Sequence, residues 1–176
     1  MKKFYVCVAI AALSLGFVSC SDDDIAPLNP NQNSSLVGDW VLTSLVSDVA
    51  LDLDQDTTAD TEIMNETDCF DAMQITFNAD DTFSSTVTEI KFEGPNQDVL
   101  TCSDSVQTGT YAFNGSVLTI TLNVAGGTVT EDQTINLLTN TLQITVTSAD
   151  VAQFFSNPGN NPAANVNQLI FTYTKI

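Results

Sequence analysis

Nine of the chain's 22 acidic residues fall between Asp48 and Asp71, a stretch without a single Lys or Arg. Asp52, Asp54 and Asp56 occupy alternate positions there, and Glu62 and Glu66 follow. The D-x-D-x-D spacing is how a calcium loop presents hard carboxylate oxygens to Ca2+. These five residues are therefore the candidate metal ligands, with Ca2+ as the candidate cofactor in a structural role. Carboxylates this close repel one another unless a cation sits between them. The pattern is incomplete, because Thr57 stands where such a loop places glycine and Ile63 where it places a bidentate glutamate. A solvated acidic loop is the competing reading.

What the chain lacks narrows the chemistry further. It has no His and no Arg, and its four cations are Lys2, Lys3, Lys91 and Lys175. Neither a Ser-His nor a Cys-His nucleophile can be built, nor a His-ligated metal, nor a bidentate phosphate clamp. The net charge of −18 excludes nucleic acid as a partner, since phosphate recognition needs a basic face. Carboxylate pairs occur only in the acidic loop, with no evident apolar cleft to raise a pKa, so the chain reads as a binder and not an enzyme.

The first nineteen residues read as a leader. Met1, Lys2 and Lys3 form a positive start, Phe4 to Phe17 an apolar run too short to span a bilayer, and Cys20 follows Phe17-Val18-Ser19. This segment resembles a bacterial lipobox, which implies cleavage before Cys20 and lipid on its sulfur. Ser21-Asp22-Asp23-Asp24 resembles the acidic export signal that directs Gram-negative lipoproteins to the outer face of the outer membrane. The resemblance implies a cell-surface protein held to the membrane by the lipid on Cys20. Residues 20–35 then read as lipidated cysteine and flexible acidic tether, and 36–176 as one domain. Losing Lys2 and Lys3 with the leader leaves two cations against 22 acids, a charge of −20. Cys7 departs with the leader, so Cys69 and Cys102 remain as an isolated pair in an oxidising compartment. A disulfide is the expected outcome, closing a loop worth roughly 3–4 kcal/mol in the chain-entropy model.

From Leu36 onward the hydrophobic period is two, rich in Thr, Val, Ile and Phe, and predicts eight strands over 38–47, 72–79, 82–92, 106–114, 116–124, 128–137, 140–147 and 167–175. Asn114-Gly115 and Gly126-Gly127 are hairpin turns, as are Asp80-Asp81 and Thr139-Asn140. The pattern predicts an all-β, eight-stranded antiparallel up-and-down barrel. Connections after strands two, four and six are tight, while 48–71, 93–105 and 148–166 are long, so long loops gather at one end. Strand alternation puts Trp40, Phe77, Phe83, Tyr111, Phe113 and Tyr173 inward near the pinched end, as a plug. Toward the loop end the inward groups are smaller: Ser44, Val46, Met73, Ser85, Val87, Gly109, Leu122, Val124, Val129 and Val146. They are the candidate lining of a ligand cavity, with Phe154 and Phe155 folding over its mouth.

Several of these residues carry a resemblance. Gly38-Asp39-Trp40 resembles the lipocalin G-x-W signature. The ordered set from Gly38-x-Trp40-x-Leu42 through Phe77-x-x-Asp80-Asp81-Thr82-Phe83, Gly109-Thr110-Tyr111 and Tyr173-Thr174-Lys175 is similar to a lipocalin-like domain of small bacterial envelope lipoproteins. The resemblance implies a barrel that binds a small apolar or amphipathic molecule. It also implies a late-strand cation packed on Trp40, a place only Lys175 can fill. A protein- or glycan-interaction module with a solid barrel core is the alternative, and interior volume separates the two.

Overall fold

The computed structural model describes residues 33–176; the leader, Cys20 and most of the tether lie outside the described residues. One turn of helix, α1 (Asn33–Leu36), precedes β1 (Gly38–Leu51). The chain continues through β2 (Asp60–Glu62), two 3-10 turns, β3 (Gln74–Phe77), β4 (Thr82–Glu93), β5 (Val99–Phe113), β6 (Val117–Val124), β7 (Gly127–Leu137) and β8 (Thr141–Thr147). It ends with α2 (Ser148–Val151), β9 (Phe155–Ser156), a further 3-10 turn and β10 (Gln168–Lys175).

Each of β1, β3, β4, β5, β6, β7, β8 and β10 pairs antiparallel with the next, and β10 returns to β1, so eight strands close an up-and-down barrel. Closure removes the free edges that an open sheet would expose. A chain starting at Ser21 keeps every strand pairing and the whole buried core of the described residues.

The pinched end is built as expected. Trp40, Phe77, Phe83, Tyr111 and Tyr173 are buried there, and the Phe77 and Tyr111 rings meet edge to face at 4.8 Å between centroids. The Trp40 indole donates to the Leu36 carbonyl at 2.7 Å, which joins α1 to the plug. Asn33 also docks here, accepting from the Phe113 amide at 2.7 Å and donating to Asp81 at 2.8 Å. The chain therefore enters the barrel from the plugged end.

Three features depart from the alternation expected from sequence. The first is a β-bulge in β1: Leu42 lies opposite Tyr173 but Ser44 opposite Thr172, which leaves Thr43 as an extra residue. Its hydroxyl bonds the Thr172 carbonyl at 3.1 Å and the Thr174 hydroxyl at 2.9 Å, outside the barrel. One extra residue reverses every later facing, so Leu45 and Ser47 point inward with Leu42, while Ser44 and Val46 point out. Second, 93–105 is not a long loop. Glu93 pairs with Val99, and only Gly94 to Asp98 turn. The Gly, Pro and Asn breakers are confined to those five positions, and the β-formers after them extend the hairpin. Third, β5 pairs with β6 only from Gly109 to Phe113, and β7 with β8 only from Ile135 to Leu137. Beyond those rungs the β6–β7 hairpin leans free of both neighbours. At the point of divergence Gly109 is required, because a Cβ there would lie 2.0 Å from the Thr121 carbonyl oxygen.

The two long connections, 52–73 and 148–167, do gather at the end opposite the plug. β3 has four residues, whereas β1 has 14 and β4 has 12, so above β3 both neighbours have an unpaired edge. β2 pairs with β1 there and β9 pairs in parallel with β4. Together with the 3-10 turns they form a wedge in the barrel wall, with its own apolar centre: the Phe155 ring lies 6.4 Å from those of Phe70 and Phe92, and Leu53, Ile63 and Val166 are buried alongside. Cys69 and Cys102 form a disulfide, Cα to Cα 5.5 Å, that ties the first connection to β5.

Candidate functional site

Above the aromatic plug the barrel is hollow. A cavity of about 430 Å3 has walls from Met73, Ile75, Phe83, Val87, Ile144 and Val146, and a floor from Phe77, Phe171 and Tyr173. That size lies in the range of roughly 300–1,000 Å3 typical of small-molecule sites. Phe154 reaches into it from the second connection, its ring 4.7 Å from Phe171. The cavity is apolar at its base and polar at its rim, where Gln107, Gln133, Glu131, Asp132 and Asp150 stand. Gln133 donates to the Thr145 carbonyl at 2.9 Å and so spans the gap where β7 and β8 have parted. On the floor, burial pushes the Tyr173 phenol up, so it stays protonated.

Of the residues expected to line the cavity, Met73, Ser85, Val87, Val146 and Phe154 do. Ser44 and Val46 do not, because of the bulge at Thr43. Leu122, Val124 and Val129 do not either: Leu122 stands opposite Gly109 at the last rung to β5 and packs on the core, and Val124 and Val129, beyond that rung on the leaning hairpin, are 46% and 41% exposed. Phe155 turns the other way from Phe154 and is buried in the wedge. Phe154 closes the turn before β9, its amide donating to the Val151 carbonyl at 3.0 Å, while Phe155 opens the strand. Leu118, Ile120 and Gln133 line the cavity but were missed, although the alternation of Leu118 and Ile120 with Thr119 and Thr121, and of Gln133 with Asp132 and Thr134, was there to be read.

In the acidic loop the structure gathers Asp52, Asp54 and Glu66, whose carboxylate oxygens lie within 4.8 Å of one another. Glu66 is 6% exposed and accepts from the Leu53 amide at 2.9 Å. One oxygen of Asp52, Oδ1, is buried without a hydrogen-bond partner among the described residues. Thr57 adopts a left-handed φ of 77° and donates its amide to Asp52 at 3.2 Å, so the chain bends where the motif has glycine. Asp56 lies outside the cluster and accepts from the Thr58 amide at 2.7 Å. Glu62 lies outside it too, because the bulged strand claims it: it accepts from the Leu45 amide at 2.7 Å and the Ser44 hydroxyl at 2.5 Å.

The Gly38-x-Trp40 pair has a physical reason. Gly38 has φ 133°, and a Cβ on it would lie 2.7 Å from Cε of Lys175. With that space open, the Lys175 stem crosses Gly38 and brings its ammonium 5.3 Å from the Trp40 ring centroid. Lys175 thus holds the place that the resemblance gave it.

A closed eight-stranded barrel with one end plugged by aromatics and the other hollow and apolar is the construction of a small-molecule-binding barrel. The family profile of the lipocalin-like domain matches residues 36–144, and the chain belongs to that family. No curated protein matches it in sequence. Beyond the matched residues, β10 completes the barrel and supplies Phe171 and Tyr173 to the cavity and Lys175 to Trp40.

Proposed function

We propose that this chain is an envelope lipoprotein, anchored at the cell surface through Cys20, whose barrel carries a small apolar or amphipathic molecule. The observation that carries the reading is the 430 Å3 cavity with an apolar base; burial of a ligand there is driven by the area it removes from water, at roughly 25 cal/mol per Å2. A hollow interior also weighs against the alternative of an interaction module with a solid core. Native mass spectrometry of the chain purified from an envelope extract tests it. A co-purifying lipid-sized mass that is lost on replacing Ile144 with Trp is the expected result. If neither a retained mass nor binding of any apolar probe is found, the reading fails.

The anchor is tested separately. Cys20→Ser is expected to release the protein from the membrane fraction. Because the chain enters at the plugged end, the cavity mouth faces away from the bilayer in this reading. Protease added to whole cells then cuts the 94–98 turn first, and protection of that turn refutes the orientation.

A structural Ca2+ is a second reading, favoured by the clustering of Asp52, Asp54 and Glu66 and by the buried, unpartnered Oδ1 of Asp52. Carboxylates from this trio supply part of the six to eight oxygens Ca2+ takes, and backbone carbonyls and water supply the rest. Millimolar Ca2+ is expected to raise the melting temperature and chelator to lower it, and Asp52→Asn to abolish the response. An unchanged melting temperature in both conditions removes the ion.

A further inference from the structure

We infer that the cavity selects amphiphiles whose head group is cationic. This rests on the binding reading above and adds the charge of the ligand to it. Among the described residues three carboxylates, Glu131, Asp132 and Asp150, stand at the cavity, and no Lys or Arg does. The two cations of the described residues are engaged elsewhere: Lys91 pairs with Glu93 at 3.0 Å and Lys175 lies over Trp40 at the plugged end.

The three acids are not equivalent. Asp132 lies opposite Thr119 and accepts its hydroxyl at 2.6 Å, so its charge is directed away from the interior. Glu131 lies opposite Ile120, a residue of the cavity wall, and paired residues of an antiparallel ladder share a face. Its carboxylate makes no hydrogen bond or ion pair among the described residues. Asp150 projects from α2, one turn before Phe154, and among the described residues its carboxylate accepts only a long bond of 3.3 Å from the Gln153 side chain. Glu131 and Asp150 thus bring two charges from different elements to the rim of an apolar hollow. Low-dielectric walls concentrate such a field. An ammonium or guanidinium head on an apolar tail satisfies both features, while a fatty carboxylate would set a third anion beside two.

The test uses the chain from Ser21 onward in its oxidised form and three probes of equal tail: dodecylamine, 1-dodecanol and dodecanoate, each below its micellar concentration, titrated calorimetrically at neutral pH. The amine is expected to bind one to one and at least about tenfold tighter than the alcohol, and dodecanoate weaker than the alcohol, since tenfold corresponds to one modest charge contact. In Glu131→Gln/Asp150→Asn the ratio of amine to alcohol affinity should fall to within about twofold of one, and butylamine should show no saturable binding to either form. Dodecanoate binding as tightly as the amine, or an amine preference that survives in the double variant, overturns the inference while leaving the cavity reading intact. Failure of all three probes removes the cavity reading and the inference with it.

Discussion

Replacing Gly38 with Ala probes the joint between the plugged end and the last strand, and the outcome can be worked out from two distances. The residue sits at φ 133°, a conformation nearly restricted to glycine, and holding Ala there costs about 1–3 kcal/mol. The new Cβ would also stand 2.7 Å from Cε of Lys175. A lysine stem can swing aside, so this clash does not unfold the protein, but it removes the ammonium from its place 5.3 Å from the Trp40 centroid. An exposed cation–π contact is worth about 0.5–1 kcal/mol. Gly38→Ala should therefore destabilise by about 1.5–4 kcal/mol and Lys175→Ala by about 0.5–1 kcal/mol. Each single variant loses the same contact, so the double variant loses it only once. Its destabilisation should fall short of the sum by about 0.5–1 kcal/mol. Urea unfolding followed by the fluorescence of Trp40, the chain's one tryptophan, reads all four forms at the site itself. Additivity within about 0.3 kcal/mol would show that Lys175 does not lie across Gly38 and that the glycine is not there to make room for it.

The bulge at Thr43 predicts opposite sensitivities for neighbours: Leu45→Ala should cost about 2–5 kcal/mol and Val46→Ala less than about 1 kcal/mol by urea unfolding, and the reverse order would place the bulge elsewhere. Replacing Cys69 and Cys102 with Ser should lower stability by roughly 3–4 kcal/mol, and reducing agent should then leave the variant unchanged while destabilising the parent. Burial alone would raise the Asp48 pKa, but the amides of Asn167 and Gln168, at 2.9 and 3.1 Å, together outweigh it and hold the carboxyl below its ordinary value of 3.8. A depressed pKa gives stability that is present above the unfolded value and lost as pH falls through the folded one. Asp48→Asn should therefore flatten the loss of stability below about pH 4, and an identical acid profile would show that Asp48 contributes nothing there.

Strand positions were legible because period-two alternation and turn residues are local signals. Each of the eight barrel strands overlaps the range the hydrophobic pattern gives it, although β1 and β5 run longer and β3 shorter, and the aromatic plug lies where alternation puts it. The facing of side chains is less local. Nothing in Leu42-Thr43-Ser44 marks a bulge, since Thr43 is anchored by Thr172 and Thr174 more than a hundred residues away, and that one insertion displaced Ser44 and Val46 from the cavity. The departure of the β6–β7 hairpin is likewise decided by where its neighbours stop pairing, not by its own sequence. In the acidic loop the D-x-D spacing located two of the three clustered acids, Asp52 and Asp54. It could not separate Glu62 from Glu66, because what occupies Glu62 is the amide of Leu45, displaced by the same bulge.

The brevity of β3 shapes the binding half more than any single residue does. Four residues cannot bridge strands of 14 and 12, so the wall above β3 has to come from the two long connections, which would otherwise have been free to fold over the mouth. That substitution explains why Phe154 and Phe155 part company. Phe155 is spent on the wedge against Phe70 and Phe92, which fixes the backbone of β9, and the Phe154 carbonyl accepts the Ile90 amide at 2.7 Å. With both ends of that short segment held, the Phe154 side chain has the cavity as its remaining direction, where it meets Phe171. The disulfide and the acidic cluster both belong to the first connection, so they act on the wall and not on the rim. It follows that the wedge sets the volume and the depth of the site, whereas charge selection rests with Glu131 on β7 and Asp150 on α2. Changes to Cys69 or Asp52 should then alter affinity for neutral and cationic amphiphiles in parallel, while changes to Glu131 should alter only their ratio.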